Sequence, residues 1–130
     1  MVALKKFTKA DYLLYKNKNE EALNEFKKIL TEDKDNEIVS VTLLRIGQTY
    51  EKLNKPMEAL EYYKQIIDRF KEGIYIDEAY YFSAEIYFKN FKNNEQAKPL
   101  YEKILFDHQD SIYYIDSQKK YRQIRGDFNS

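Results

Sequence analysis

The chain of 130 residues has no cysteine, no tryptophan, one histidine, two prolines and three glycines. The absence of cysteine excludes disulfide bonds and thiol chemistry. A phosphate-binding loop needs several glycines close together, and Gly47, Gly73 and Gly126 stand far apart. With 34% charged and 43% apolar residues, the composition indicates a helical chain with short turns.

The sequence also lacks a net charge and a long apolar segment. Lys plus Arg and Asp plus Glu number 22 each, which argues against nucleic acid or an anionic membrane surface as the partner. No apolar run approaches the roughly 20 residues that span a bilayer, and the first residues do not form a signal peptide. We expect a cytoplasmic protein if the chain is complete, and a periplasmic or envelope-associated one if it is cut from a longer secreted protein.

No group of residues predicts catalysis. His108, the single histidine, has only scattered carboxylates near it in sequence, at Glu102, Asp107 and Asp110. This is a poor ligand set for a metal, so we expect His108 to lie in an ordinary solvated turn. No serine has a plausible histidine partner. The sequence therefore predicts no enzyme, no catalytic residue, no metal and no cofactor.

One amphipathic pattern occurs three times, in "NEEALNEFKKIL", "PMEALEYYKQII" and "NEQAKPLYEKIL". An alanine is followed four residues later by an aromatic residue, and three residues after that by isoleucine. These spacings place the three side chains on one face of a helix. The alanines are 37 and then 38 residues apart, and a repeat of this period is typical of a solenoid. The three sets are Ala22, Phe26 and Ile29; Ala59, Tyr63 and Ile66; and Ala97, Tyr101 and Ile104.

A second helical pattern precedes each of these segments. In the middle copy it places a small residue, Gly47, between large apolar residues at helical spacing. Ala10 and Ala84 occupy the same position in the other copies, and such residues let two helices approach closely. The third copy has one extra residue before its turn. Asn19 and Asn94 are predicted to cap the helices that follow.

The middle copy resembles the tetratricopeptide repeat, through Leu43-x2-Ile46-Gly47-x2-Tyr50 and then Ala59-x3-Tyr63-x2-Ile66. It departs from that family at Ile66, where a small residue is usual. The long repeats are similar to those in the C-terminal regions of larger bacterial proteins of this family. The resemblance implies an all-α fold, an α-α superhelix of about seven helices. We predict a single domain over residues 1–130, with repeats over about 3–35, 38–72 and 76–109 and a capping helix over about 113–126.

The predicted capping helix is much more polar than the repeats, and it carries several lysines and arginines around Tyr121 and Ile124. A solenoid needs such an element to cover its exposed apolar end. Gly126 is predicted to end this helix, because glycine readily adopts the left-handed conformation found after helix C-termini.

The resemblance also implies that the first helices of the repeats line a concave groove that binds a peptide. Residues carried over to this groove are expected to face solvent when it is empty, including Tyr81 and Glu85. The groove is aromatic and acidic, so it suits a basic and aromatic peptide. Some members of the family bind acidic peptides through cationic side chains in this groove. Of such cations, only Arg45 is present here. The candidate binding residues are Asp11, Gln48, Glu51, Glu78, Tyr81, Glu85 and Phe88.

Two interpretations of these positions remain open, because some of them must pack against neighbouring repeats. The first is a non-enzymatic module that binds a protein or peptide. The second is an architectural or self-associating segment of a longer bacterial envelope-associated protein.

Overall fold

The computed structural model describes residues 2–126. Met1 and residues 127–130 belong to the predicted domain but lie outside the described residues. Within that range the chain forms seven α-helices and one π-helical segment, with no strand, so the predicted all-α helical-repeat fold is confirmed. The helices are α1 (Val2–Tyr15), α2 (Asn19–Glu32), α3 (Asn36–Lys52), α4 (Pro56–Arg69), α5 (Ile76–Glu85), α6 (Asn94–Asp107) and α7 (Tyr114–Arg125), and the π-helical segment (Ile86–Asn90) follows α5 directly.

The chain divides into two compact units between Tyr75 and Ile76. Unit 1 contains α1 to α4, and unit 2 contains α5, the π-helical segment, α6 and α7. Inside each unit, every helix packs against the next one along the chain. None of the described helices is both long enough and apolar enough to cross a bilayer.

The repeated alanine, aromatic and isoleucine residues form the core of each unit, as their spacing predicts. In unit 1 both sets are at most 1% exposed, and in unit 2 all three residues are completely buried. These side chains lie on the second helix of each pair, α2, α4 and α6. Each of these helices therefore buries the predicted face against its neighbours.

At Gly47, α3 and the side chain of Tyr63 on α4 approach each other closely. A Cβ atom built on Gly47 would lie 2.3 Å from Cε1 of Tyr63, well inside van der Waals contact. The ring of Tyr63 occupies the space that a side chain at position 47 would need. Glycine is required here for its small size.

The helix starts differ by one residue from the prediction. Asn19 and Asn94 are the first helical residues rather than the caps. Before α6, Asn93 is the N-cap, and its side chain accepts a hydrogen bond from the Gln96 N–H at 3.1 Å. Before α2, Lys18 occupies the cap position and makes no side-chain cap hydrogen bond.

The π-helical segment gives a physical reason for the extra residue in the third copy. Gly47 lies seven residues before Asn54, and Ala84 lies eight residues before Lys92, the equivalent turn position with positive φ. A π-helical turn accommodates one additional residue without unwinding the helix. The segment thus keeps Ala84 in the core while the chain still turns at Lys92.

Each turn inside a helix pair contains one residue in the left-handed conformation: Asn17 (φ 63°), Asn54 (φ 60°) and Lys92 (φ 52°). Asparagine adopts this conformation at a lower steric cost than lysine. Lys92→Gly is expected to raise the free energy of unfolding by about 0.5–1 kcal/mol, because glycine removes the steric cost of a Cβ at positive φ. Chemical denaturation measures the change.

Lys92→Ala is the matched control for this prediction. It removes the charge and the long side chain but keeps the Cβ, so it should not stabilise the protein. An equal gain in both variants would show that the lysine side chain, and not the backbone conformation, carries the cost.

The predicted capping helix is observed as α7. Its residues Tyr121 and Ile124 pack against a buried cluster of Ala84, Ala97 and Tyr101 in unit 2. Gly126 follows with φ +85°, and its N–H bonds to carbonyls of the last helical turn. The predicted end of this helix at Gly126 is confirmed.

Candidate protein-interaction surface

The predicted binding residues all lie on the first helix of a pair or on its π-helical extension, and we call the side of these helices that carries them, in each unit taken by itself, the first-helix face. Unit 1 carries three of them, on α1 and α3, and unit 2 carries four, on α5 and the π-helical segment. None of the seven is buried: Glu51 is exposed and the others are half-buried. We describe the two parts of this face separately.

In unit 1, Arg45 organises the first-helix face. Its Nε lies 3.0 Å from Oδ1 of Asp11, and its Nη1 donates to Oε1 of Gln48 at 3.1 Å. The guanidinium also lies 5.8 Å from the centre of the Phe7 ring. The carboxylate of Asp11 is therefore already paired with a cation of the protein itself.

Glu51, at the C-terminal end of α3, accepts a hydrogen bond from the Tyr63 hydroxyl at 2.5 Å. Burial and the adjacent carboxylate of Glu51 both raise the pKa of Tyr63 above its usual value. The hydroxyl thus stays protonated and remains a donor. One predicted binding residue is in this way tied to the core aromatic residue of its own repeat.

In unit 2, Glu85 is the centre of a polar network. It was expected to face solvent, and it does not. Its side chain is 14% exposed, and its Oε2 atom lies 2.8 Å from the ammonium of Lys120 on α7. Its Oε1 lies 2.7 Å from Nζ of Lys89, and the Tyr101 hydroxyl donates to Oε2 at 2.5 Å. The expectation that Glu85 faces solvent is wrong because α7 supplies a cation that covers it.

The electrostatics of this network favour the charged forms of both partners. Burial raises the pKa of Glu85, but hydrogen bonds from Lys120, Lys89 and Tyr101 outweigh this effect, and the net pKa is lowered. Burial lowers the pKa of Lys120, but its bonds to Glu85 and Asp116 reverse the shift, and the net pKa is raised. Glu85 and Lys120 therefore form an ion pair at neutral pH.

Tyr81 and Phe88 contribute the aromatic part of the first-helix face in unit 2. The Tyr81 ring stacks on Tyr113, with centroids 4.4 Å apart and planes 17° from parallel, and its hydroxyl donates to Asp116 on α7. The Phe88 ring lies 6.2 Å from the ring of Tyr101. Both side chains remain half-buried, so part of each ring contacts solvent.

His108 lies in the turn that follows α6, as predicted, but it is only partly solvated. Its side chain is 25% exposed, and its Nδ1 lies 3.0 Å from Oδ1 of Asp77 at the start of α5. Its ring also lies 6.0 Å from the ring of Tyr80. Among the described residues, no three histidine or acidic side chains are grouped so that they could hold a metal ion.

Comparison with protein-family models agrees with the register of these helices. Residues 42–72 and residues 77–105 each match a model of the tetratricopeptide repeat. The two matched segments are tetratricopeptide repeats. No curated protein matches it significantly. Tetratricopeptide repeats generally mediate protein–protein interactions and are typically non-catalytic.

The repeat register explains why both parts of the first-helix face contain an ion pair. Arg45, Phe82 and Lys120 are spaced by 37 and 38 residues, which are the separations of the repeats themselves. Arg45 pairs with Asp11, and Lys120 pairs with Glu85, in each case with a carboxylate from the first helix of the preceding tetratricopeptide repeat. The role of Lys120 was not predicted from the sequence, although its spacing from Arg45 was a usable signal.

These pairs change the charge that the face presents to a ligand. Two of the four predicted acidic residues, Asp11 and Glu85, are balanced by cations of the protein itself. The other two are Glu51, which is exposed and accepts the Tyr63 hydroxyl, and Glu78, which is half-buried. Apolar contact by aromatic residues is consequently a larger part of what this tetratricopeptide-repeat surface can offer.

Proposed function

We propose that the protein is a non-enzymatic interaction module that binds a segment of another protein on the first-helix face. The observation that supports this proposal is that all seven candidate residues stay at least partly exposed, including Glu85, whose side chain is 14% exposed beneath Lys120. None of them is buried, although they alternate along α1, α3 and α5 with residues that are. A solenoid presents such a face to ligands because neighbouring repeats cover only the other sides of these helices.

The preferred ligand is a peptide with aromatic or aliphatic side chains and at least one lysine or arginine. Tyr81 and Phe88 offer apolar ring surface, and half-buried aromatic residues commonly anchor protein partners. Glu51 is exposed and favours a basic residue through charge complementarity. A strongly acidic peptide has no counterpart here, because Arg45 and Lys120 are each held by carboxylates of the protein.

The test begins with a random peptide library displayed on phage and selected on the whole chain. One selected peptide is then synthesised, and its affinity is measured by calorimetry for the wild-type protein and for variants. Glu51→Gln keeps an acceptor for the Tyr63 hydroxyl but removes the charge. It is expected to weaken binding by about threefold to tenfold at low salt and by less at high salt, because screening reduces the attraction.

Phe88→Ala is expected to weaken binding by about tenfold or more at any salt concentration, because it removes apolar contact area. The controls lie on α4: Glu58→Gln repeats the loss of charge, and Met57→Ala removes an exposed apolar side chain (68% exposed). Thermal unfolding of each variant separates lost binding from lost structure. Equal affinity for the wild type and both first-helix variants would contradict the proposal, as would a selection that enriches no peptide.

A further inference from the structure

We propose a second interaction site, outside the first-helix face, that binds an acidic protein segment carrying a bulky apolar side chain. The site is a cleft in unit 2 between the C-terminal end of α6 and one face of α7. It contains none of the candidate residues of the first-helix face. The cleft is lined mainly by Leu105, Phe106, Tyr114, Tyr121, Arg122 and Arg125.

The apolar part of the cleft contains one buried and one largely exposed side chain. Leu105 is 8% exposed and forms part of the lining, whereas the Phe106 side chain next to it is 65% exposed. Tyr121 belongs to α7, and its hydroxyl donates to Oε2 of Glu102 at 3.2 Å. A phenylalanine that stands this far out of the core beside a cleft offers a contact for one large apolar side chain.

The charged part of the cleft is cationic. The Arg125 guanidinium lies 5.1 Å from the centre of the Tyr121 ring. Lys98 on α6 does not line the cleft, but its ammonium lies 5.8 Å from the same ring. Arg122 is exposed on the same face of α7 and makes no ion pair with any residue that the structure describes. The carboxylate of Glu102 already accepts the Tyr121 hydroxyl.

This combination favours a carboxylate-bearing partner. Arginine side chains bind carboxylates through two parallel hydrogen bonds, and Arg122 and Arg125 stand about one helical turn apart on α7. A segment with a bulky apolar residue next to an acidic residue would place the apolar side chain against Phe106 and the carboxylate at Arg122. The apolar lining and the zero net charge of the chain argue for a protein segment over a nucleic acid.

The test uses two short acetylated peptides as probes. In one, a single phenylalanine is flanked on each side by aspartates, and in the other the aspartates are replaced by lysines. Each is titrated into the 15N-labelled whole chain, and amide shifts are followed. We expect the aspartate peptide to shift amides around Phe106, Gln118 and Arg122, and the lysine peptide to leave them unchanged.

Arg122→Glu is expected to lower the affinity for the aspartate peptide at least about tenfold through charge reversal. Lys119→Glu is the matched control, because Lys119 is an exposed cation on α7 that does not line the cleft. Arg122 is also exposed, so both variants should fold normally. Binding of the library-selected peptide to the first-helix face should survive Arg122→Glu, which separates the two sites.

Several outcomes would overturn this inference. One is an aspartate peptide that shifts no amide near α7, or that binds Arg122→Glu as well as the wild type. Another is an oligothymidylate that binds the cleft more tightly than the peptide, which would make the partner a nucleic acid. A mass that rises with protein concentration and falls again in Arg122→Glu would instead identify a second copy of the chain as the occupant.

Discussion

Replacing Tyr63 by alanine is expected to lower the free energy of unfolding by about 3 kcal/mol, as large aromatic deletions from cores do. The Tyr63 side chain is completely buried, lies against Gly47 and donates a hydrogen bond to Glu51. Its removal leaves a cavity between α3 and α4. Denaturant unfolding measures the change, and Tyr12→Ala, at a tyrosine 58% exposed on α1, is the control and should change stability by less than about 0.5 kcal/mol.

A double-mutant cycle with Gly47 makes this test specific for the contact between the two helices. Gly47→Ala alone should cost about 1–3 kcal/mol, because its Cβ would overlap the Tyr63 ring. In the Tyr63→Ala background the ring is gone, so the same substitution should cost little. Residues in direct contact show such coupling, and distant residues do not. If the two costs simply add, Gly47 and Tyr63 are not in contact, and this result would contradict the observed register of α3 and α4.

Deleting residues 111–130 is expected to have the second large effect. It removes α7, whose Tyr121 and Ile124 cover the cluster of Ala84, Ala97 and Tyr101, and exposed apolar surface of this kind promotes aggregation. The unfolding temperature should fall by on the order of 10 °C, or the protein should aggregate. Thermal unfolding and light scattering measure these two outcomes.

Lys120→Met is the matched variant for this deletion. It removes the ammonium that pairs with Glu85 and Asp116. It keeps α7 and most of the apolar part of the side chain at position 120. It should therefore lower stability far less than the deletion. A soluble deletion variant with an unchanged unfolding curve would mean that α7 does not cover the third repeat in solution.

The sequence predicted the parts of the fold that follow from helical periodicity. The alanine, aromatic and isoleucine positions were all found in the core, because spacings of four and three residues leave one face to bury. Gly126 ended α7 as predicted, since glycine is the residue that most readily adopts the left-handed conformation after a helix. Local rules of this kind do not depend on which distant residues meet in space.

Features that depend on contacts between helices could not be predicted in the same way. Glu85 was assigned to the groove from the family resemblance. The extent to which it is covered depends on Lys120, which lies 35 residues further along the chain. His108 was expected in solvent, and its position depends on Asp77 at the start of another helix. The extra residue of the third copy was visible, but a longer turn would have accommodated it as readily as the observed π-helical segment.

The most direct measurement of the proposed interaction is a map of amide shifts in the 15N-labelled chain during titration with the library-selected peptide. Binding on the first-helix face predicts that the largest shifts fall on α1, α3, α5 and the π-helical segment, including Gln48, Glu51, Tyr81 and Phe88. Amides in the middle of α2 and α4 should stay unchanged. Shifts concentrated on α2 and α4, with none at those four residues, would contradict the proposed binding surface.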